Sequence, residues 1–334
     1  MKSAMNRRTF VQHSVLASAG AALAASSLAQ PGAAGADDAS APAAPPVAQE
    51  MPRGKIGDLE ISRLLLGGNL LTHYTHSRDL RYVYTLAKAY NTDEKILETL
   101  AAAEDHGINT LVVHNVPATL AVLKQHRQRG GKMQWITCTF HALAGGDLQK
   151  FATEVEQLVD AGTDALYISG VEADFMCGYT NDISAINSAE RATEPKMDVL
   201  AQALDLAKAH GLPTGLGAHR LGAIQECEKA GLDVDFYLKT FHHHNYPTAN
   251  LHHDSNFCPD PDGVTQFMQT VKKPFIAYKV MAAGAIPPKD AFEFAVTNGA
   301  DFILAGMFDF EIAEDARLVR ELYANVQRPR PLQA

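Results

Sequence analysis

The chain has 334 residues, of which 46% are hydrophobic and 20% are charged, a composition typical of a globular protein and too apolar for a disordered one. Its 29 Lys and Arg against 38 Asp and Glu give a formal net charge of -9, so no global excess of cations points to nucleic acid or an anionic membrane. Four scattered cysteines without a CxxC pair indicate neither a disulfide scaffold nor a cysteine zinc knuckle. The 14 histidines are the most distinctive part of the composition.

Residues 1–29 are predicted to be an export signal. Arg7 and Arg8 precede an Ala-rich apolar run, a pattern that resembles a signal read by the twin-arginine translocase, and Ser27-Leu28-Ala29 offers a cleavage site. The apolar run is shorter than the roughly 20 residues that span a bilayer, and no later stretch is longer, so we expect no stable membrane span. Residues 30–50, rich in Ala and Pro, are expected to form a flexible linker. The sequence thus predicts a periplasmic or secreted protein whose folded domain covers residues 51–328.

The rest of the chain alternates short apolar runs with longer stretches of helical periodicity. The runs predict eight strands, at 62–66, 110–113, 134–139, 165–169, 214–217, 236–240, 274–279 and 302–305. Helices are predicted at 93–106, 147–161, 197–210, 221–230, 263–271, 289–298 and 312–323. This alternation predicts a single (β/α)8 barrel. An open doubly wound sheet is less well supported, since no GxGxxG turn follows the first strand. Residues 55–61 are predicted to form a hairpin that plugs the bottom of the barrel.

Ionisable side chains follow six consecutive predicted strands. His114 and Asn115 follow strand 2, His141 follows strand 3, Glu172 follows strand 4 and His219 and Arg220 follow strand 5. His242, His243 and His244 follow strand 6, and Lys279 ends strand 7. Because the carboxyl ends of barrel strands converge on one mouth, these side chains predict a functional site there.

Imidazoles with one carboxylate suit a divalent ion such as Zn, Mn, Fe or Ni. Glu172, His219, His242 and His244 are the predicted ligands, with His141 as a further candidate; on an extended chain His243 would point to the other side. Acid–base chemistry by His114 and His141 without a metal is the competing interpretation. Asn115, Arg220, His243, Asn245 and Tyr246 are expected to bind substrate. Lys279 lies in an apolar run, which favours a neutral amine that acts as a base, an electrophile or a Schiff-base nucleophile, although an ion-paired rim lysine fits as well.

Three segments resemble aldo/keto reductases. Residues 59–69 are similar to the family's opening strand, residues 96–110 to the helix leading into its second strand, and residues 275–284 with 300–315 to its last two barrel units. The resemblance implies the barrel fold and an NADP-dependent carbonyl reduction. The family places a catalytic Asp and Tyr after strand 2 and a Lys after strand 3, whereas residues 114–118 and 137–141 contain none of these. Its catalytic His has a counterpart in His141 or a near neighbour.

We therefore expect an exported enzyme with a metal site that acts on a small polar carbonyl or polyol-like substrate, as a lyase, isomerase or hydrolase. His114, His141 and Lys279 are its predicted catalytic residues. An NADP-dependent oxidoreductase with bound cofactor is the first alternative. A periplasmic metal-binding or ligand-binding protein, suggested by the histidines between residues 242 and 253, is the second.

Overall fold

A closed barrel of eight parallel strands forms the centre of the computed structural model, which describes residues 50–140, 142–143, 145–180, 191–249 and 257–333. The barrel strands are β3 (Leu64–Gly67), β4 (Thr110–His114), β5 (Gln134–Thr139), β6 (Ala165–Ile168), β7 (Thr214–Ala218), β8 (Phe236–Thr240), β9 (Phe275–Tyr278) and β10 (Phe302–Ala305). They pair in sequence order, and β10 closes the barrel on β3 with Ile303 opposite Leu64. The predicted (β/α)8 fold is confirmed.

Helices follow the strands around the outside of the barrel. They are α1 (Arg81–Tyr90), α2 (Asp93–Asp105), α3 (Pro117–Gln128), α4 (Leu148–Ala161), α5 (Gly170–Met176), α6 (Met197–Lys208), α7 (Leu221–Lys229), α8 (Pro261–Met268), α9 (Pro288–Thr297) and α10 (Ile312–Asn325). Local chemistry sets several of their ends. The Thr92 hydroxyl accepts the Lys95 N–H at the start of α2, and Asp147 accepts the Lys150 N–H at the start of α4. Gly162 ends α4 at φ 98°, a left-handed conformation that glycine adopts without strain.

An antiparallel hairpin precedes the barrel. It consists of β1 (Arg53–Ile56) and β2 (Leu59–Ser62). Its two isoleucines, Ile56 and Ile61, are fully buried in the same cluster as the inward-facing strand residues Leu65 and Phe302. Their burial beneath the interior side chains agrees with the predicted hairpin that plugs the bottom of the barrel.

The core has two layers because strand residues alternate in direction. One layer fills the barrel interior, and the other lies between the strands and the helices, where Leu64 and Leu66 pack with helix residues such as Leu100. A filled interior leaves the strand ends as the place for a ligand cavity.

The structure also contains helices that the periodicity did not indicate, namely α1, α3 and α5. The predicted signal and all but the last residue of the predicted linker lie outside the described residues. Within the described part of the chain, no helix has the length and apolar character needed to cross a membrane.

Candidate active site

A cavity of about 860 Å³ opens at the carboxyl ends of the barrel strands. Its volume lies in the upper part of the range of small-molecule sites, roughly 300–1,000 Å³. Apolar side chains form most of its wall, including Val112, Phe140, Phe257, Met281 and Leu304. The ionisable groups of the lining are His76, His114, Tyr74, Tyr84, Tyr167, Asp174, His219, Tyr278, Lys279, Glu311 and His73. This mixture of apolar wall and a few polar groups is typical of a substrate site.

His219 and Asp174 form a buried pair at this cavity. His219 follows β7 and Asp174 lies on α5, and the imidazole Nδ1 is 3.1 Å from the Asp174 Oδ2. The same carboxylate accepts the backbone N–H groups of His219 and Arg220, each at 3.1 Å. A carboxylate that serves as acceptor requires Nδ1 to carry the proton, which leaves a lone pair on Nε2. Burial lowers the pKa of His219 although Asp174 opposes this, so the ring is neutral at neutral pH.

The Tyr278 hydroxyl lies beside this pair at the end of β9. The two ring centroids of Tyr278 and His219 are 5.6 Å apart. A Cβ placed on Gly170 would lie 2.7 Å from Tyr278 Oη and 3.0 Å from His219 Cε1, so the two groups flank one glycine. Thr240 adjoins Tyr278, yet neither buried hydroxyl has a well-aligned hydrogen-bond partner among the described residues. Burial raises the pKa of Tyr278, so its hydroxyl stays protonated and can donate to a ligand.

Lys279 brings a cation to the opening of the cavity. Its backbone is left-handed, at φ 57°, which is unusual for a residue other than glycine. The Nζ atom lies 2.7 Å from His76 Nε2 and 4.4 Å from the centre of the Phe257 ring. The structure thus places Lys279 in the cavity, as the sequence suggested, with imidazole and aromatic neighbours.

His114 ends β4 on another part of the cavity wall. Its ring centroid lies 5.6 Å from those of both Tyr74 and Phe140. The buried Nδ1 has no hydrogen-bond partner within the described residues. Burial, assisted by the charge of Lys279, lowers the pKa of His114 to about 4. The ring is therefore a neutral group that is costly to protonate.

Lys239 supports the His219 segment from behind. This side chain lies on β8, is fully buried, and donates to the backbone carbonyls of His219, at 2.7 Å, and Thr240, at 2.8 Å. Burial lowers its pKa. Lys239 therefore fixes the backbone from which the His219 ring projects.

Glu172 is engaged in the fold and belongs to no metal-binding group among the residues that the structure describes. It lies on α5, where Ser169 caps the helix, rather than on an open loop. Its carboxylate accepts the Leu143 N–H at 2.8 Å, the Thr139 hydroxyl at 3.1 Å and the Ser169 hydroxyl at 3.2 Å. These donors come from three segments, so Glu172 ties the loop after β5 to the start of α5.

The predicted metal ligands are not brought together. His242 is fully buried with its Nδ1 3.1 Å from the His243 carbonyl oxygen, and His244 Nε2 lies 2.7 Å from that of Cys258. The rings of His242 and His244 are neighbours, at 5.7 Å, but no three His, Cys, Asp or Glu side chains in the described segments form a group that could hold a metal ion. The predicted metal-dependent lyase, isomerase or hydrolase is therefore wrong, because Glu172 and His219 have other partners.

None of the residues expected to bind substrate is in the described lining of the cavity. Asn115 donates to Glu154 at 2.8 Å, and the Arg220 guanidinium lies over the Tyr179 ring at 5.2 Å. His243 packs against Phe294 at 5.3 Å, Tyr246 packs near both His242 and His243, and Asn245 is exposed. His141 and the histidines at 252 and 253 lie outside the described residues. Of the predicted site, the cavity lining contains His114, His219 and Lys279.

Sequence reasoning missed Asp174 and Tyr278. Asp174 lies on the short helix α5, which begins with Gly170 and has too few residues for a periodic pattern. Tyr278 stood inside an apolar run and was counted as strand. Its position directly before Lys279, at the carboxyl end of a barrel strand, is the signal that could have identified it.

No protein-family model and no curated protein matches this chain. Among solved structures, one described as "putative aldo-keto reductase" from Pseudomonas aeruginosa is 16% identical, covers 81% of this chain and 95% of its own, and has a TM-score of 0.50. An aldo/keto reductase from Brucella melitensis is 11% identical, with 84% and 96% covered and a TM-score of 0.49. A mutant of Gox0644 in complex with NADPH is 8% identical, with 82% and 94% covered and a TM-score of 0.49.

The chain has an aldo/keto reductase-like barrel fold. This follows from the closed parallel barrel together with the Pseudomonas aeruginosa structure. At such low identity the likeness concerns the fold alone, so the activity has to be argued from the site.

Proposed function

We propose that the protein is an oxidoreductase that interconverts a hydroxyl and a carbonyl group on a small substrate, with NADP as the hydride carrier. The observation that carries the proposal is the proximity, next to Gly170, of a protonated Tyr278 hydroxyl and a neutral His219 imidazole. One is a hydrogen-bond donor and the other a proton acceptor. Oxidation of an alcohol needs both at the same oxygen atom.

His219 is the proposed general base. Asp174 holds Nδ1–H, so Nε2 is the atom that takes the hydroxyl proton of the substrate. The positive ring that results is stabilised by the adjacent Asp174 carboxylate, which already accepts two backbone N–H groups. The lowered pKa keeps the base unprotonated at neutral pH, which favours the oxidative direction.

Tyr278 is the proposed donor to the substrate oxygen. Its buried hydroxyl stays protonated and has no well-aligned partner in the described structure, so binding a substrate oxygen would satisfy it. In the reductive direction the same hydrogen bond polarises the carbonyl. Lys279, paired with His76, adds positive charge at the rim and stabilises negative charge on that oxygen.

The cavity fits a nicotinamide nucleotide on two counts. Its walls are largely apolar and aromatic, which suits a nicotinamide ring, and its volume of about 860 Å³ admits a second small molecule. The start of α9 reaches the lining at Pro287 and Pro288, which have no N–H groups to donate, so the helix dipole and the nearby Lys279 are what would attract a phosphate. When bound, the nicotinamide supplies the hydride chemistry; the residues above orient the substrate and move its proton.

In this barrel other residues take the place of the family's tyrosine and lysine. Residues 114–118 and 137–141 lack both. Tyr278 and Lys279 supply the two residue types from the end of β9 instead, and His219 with Asp174 supplies the imidazole and carboxylate. We propose that this altered set replaces the family's catalytic residues.

We further propose that the protein is exported, because Arg7 and Arg8 precede the apolar run. An exported oxidoreductase has no free nucleotide pool, so the nucleotide would leave the cell already bound. Replacing both arginines by lysine should retain the protein in the cytoplasm when cell fractions are immunoblotted. Unchanged periplasmic recovery would contradict export by this route.

The test of the activity is nucleotide-linked turnover by the purified barrel. NADP⁺ with a panel of small alcohols, and NADPH with the matching carbonyl compounds, should change the nicotinamide absorbance. Binding of NADPH is followed separately by its fluorescence. Tyr278→Phe should lower kcat by roughly 100-fold, the loss typical of a removed oxyanion donor, while leaving nucleotide binding intact.

Tyr237→Phe is the matched control. Tyr237 is fully buried and bonds Glu228 on the outer side of the barrel, so loss of its hydroxyl should leave kcat unchanged. If the purified protein binds neither NADPH nor NADH, the proposed function is refuted. Full activity in Tyr278→Phe and His219→Gln would refute it as well.

A further inference from the structure

Buried polar atoms that lack a hydrogen-bond partner among the described residues are concentrated at the mouth of the barrel. Thr75 Oγ1, His114 Nδ1 and Tyr278 Oη belong to residues of the cavity lining, and Thr240 Oγ1 belongs to the residue opposite Tyr278 on β8. Most buried polar groups in folded proteins are hydrogen-bonded. Their concentration around one cavity therefore indicates that a bound ligand supplies the hydrogen bonds.

The proposed catalytic pair accounts for only part of this set. Tyr278 and His219 lie together next to Gly170, and Thr240 adjoins Tyr278, so one substrate oxygen serves this side of the mouth. His114 ends β4 on another part of the wall. An oxygen bound at Tyr278 therefore leaves His114 without a partner.

The His114 ring is fixed in orientation and open to the cavity at one nitrogen. Its centroid lies 5.6 Å from those of Tyr74 and Phe140, which pack against it at angles of 48° and 63°. Neither ring nitrogen hydrogen-bonds to any residue that the structure describes, but Nε2, unlike Nδ1, is not shut off from solvent. A neutral imidazole offers one donor and one acceptor, and a hydroxyl group can pair with either.

The charges around His114 favour an uncharged partner. Burial and the positive charge of Lys279 hold the pKa of the imidazole well below its ordinary value. A positive ring that would pair with a carboxylate is therefore disfavoured, whereas a hydroxyl or carbonyl oxygen requires no charge on the ring.

The wall between the two positions is apolar. In the closed barrel β10 and β3 separate β9 from β4, and these two strands contribute Leu304 and Gly67 to the lining. An eight-stranded barrel is wide enough inside for one small ligand, so a molecule held at Tyr278 extends past these residues toward His114. A hydrocarbon chain between two oxygen groups fits this lining.

If the reacting alcohol lies at Tyr278 and His219, as the proposed function requires, we propose that the substrate carries a second, uncharged oxygen group and that His114 binds this group through Nε2. The second group is a hydroxyl or a carbonyl. His114 then determines which alcohols are substrates, while Tyr278 and His219 act on the reacting oxygen. A simple alcohol of the same length leaves the imidazole without a partner and is a poorer substrate.

Initial rates with NADP⁺ and paired alcohols test this specificity. The probes are the linear diols with terminal hydroxyl groups, from ethanediol to pentanediol, each compared with the mono-alcohol of the same carbon number. At least one diol should have a kcat/KM at least about tenfold above that of its mono-alcohol, the factor that one neutral hydrogen bond supplies. His114→Phe should remove this preference by lowering kcat/KM for the diol alone. His114→Gln, which retains a neutral donor and acceptor, should keep most of it.

His106→Phe is the matched control. His106 follows the last residue of α2, just before β4 begins, and therefore lies at the opposite end of the barrel from the cavity. Its Nδ1 is 2.9 Å from the Ala102 carbonyl oxygen. This variant should show the wild-type preference for the diol.

Nitrogen NMR of the imidazoles measures binding without turnover. The diols should shift a resonance that is absent in His114→Phe, and the mono-alcohols should leave it in place. Equal kcat/KM for diol and mono-alcohol in every pair would overturn the role of His114 and leave the oxidoreductase standing. A diol-dependent shift without nucleotide-linked turnover would overturn the oxidoreductase and leave the binding role standing. The absence of both turnover and shift would contradict both.

Discussion

His114 should make the fold sensitive to mild acid. Its pKa is lowered from 6.5 to about 4, chiefly by burial, whereas in the unfolded chain it returns to the ordinary value. Between these two pKa values the imidazole is protonated in the unfolded state and neutral in the folded state. The free energy of unfolding therefore increases with pH across this range. From neutral pH to about pH 5 the free energy of unfolding should fall by about 2 kcal/mol. If water in the cavity screens half of the effect, the fall is about 1 kcal/mol.

The assay is urea unfolding at about pH 7.5 and about pH 5. His114→Phe keeps the ring contacts with Tyr74 and Phe140 but cannot titrate, so its free energy of unfolding should fall by 1–2 kcal/mol less than that of the wild type over the same interval. Changes from other groups are shared and cancel in this difference. Equal pH dependence in both proteins would refute the reasoning, as would an NMR titration of His114 with a midpoint near 6.5.

Three further changes follow from the contacts around the site. Gly170→Ala should lower turnover at least about tenfold, because its Cβ would meet Tyr278 Oη and the His219 ring, whereas Gly145→Ala, which points into open space, should leave turnover unchanged. Lys239→Met should lower the free energy of unfolding by about 1–3 kcal/mol in urea, because the carbonyls of His219 and Thr240 lose their buried donor. Asp301→Asn should lower it by about 3 kcal/mol, as Asp301 bonds the buried guanidinium of Arg330; a loss below 1 kcal/mol would contradict that role.

The strands were predictable from the sequence because they are short, continuous apolar runs bounded by Gly, Pro and charged residues. All eight lie within two residues of their predicted bounds. Helix α1 was missed because half of its ten residues are Tyr, Val or Thr, which are weak helix formers. Helix α5 was missed because it is seven residues long and its first residue is glycine, which is a weak helix former.

The site was less predictable, since residue type and position near a strand end do not determine hydrogen-bond partners. Glu172 and His219 both follow strands, yet one binds Leu143 and Thr139 while the other binds Asp174. His242 and His244 do lie side by side, as the alternation along an extended chain implies, but backbone carbonyls occupy a nitrogen of each ring. The ligands of a metal ion must surround one point in space, and the spacing of residues along the sequence does not show whether they do.

The β1–β2 hairpin has a consequence for kinetics. Ile56 and Ile61 close the amino-terminal end of the barrel, and the interior side chains fill the space above them. A molecule that reaches Tyr278 must therefore leave through the opening by which it arrived, and the deeper of two bound molecules must wait for the shallower one. In a cavity with a single opening the two reactants bind and leave in a compulsory order. Initial rates measured against both reactants should therefore give intersecting rather than parallel reciprocal plots.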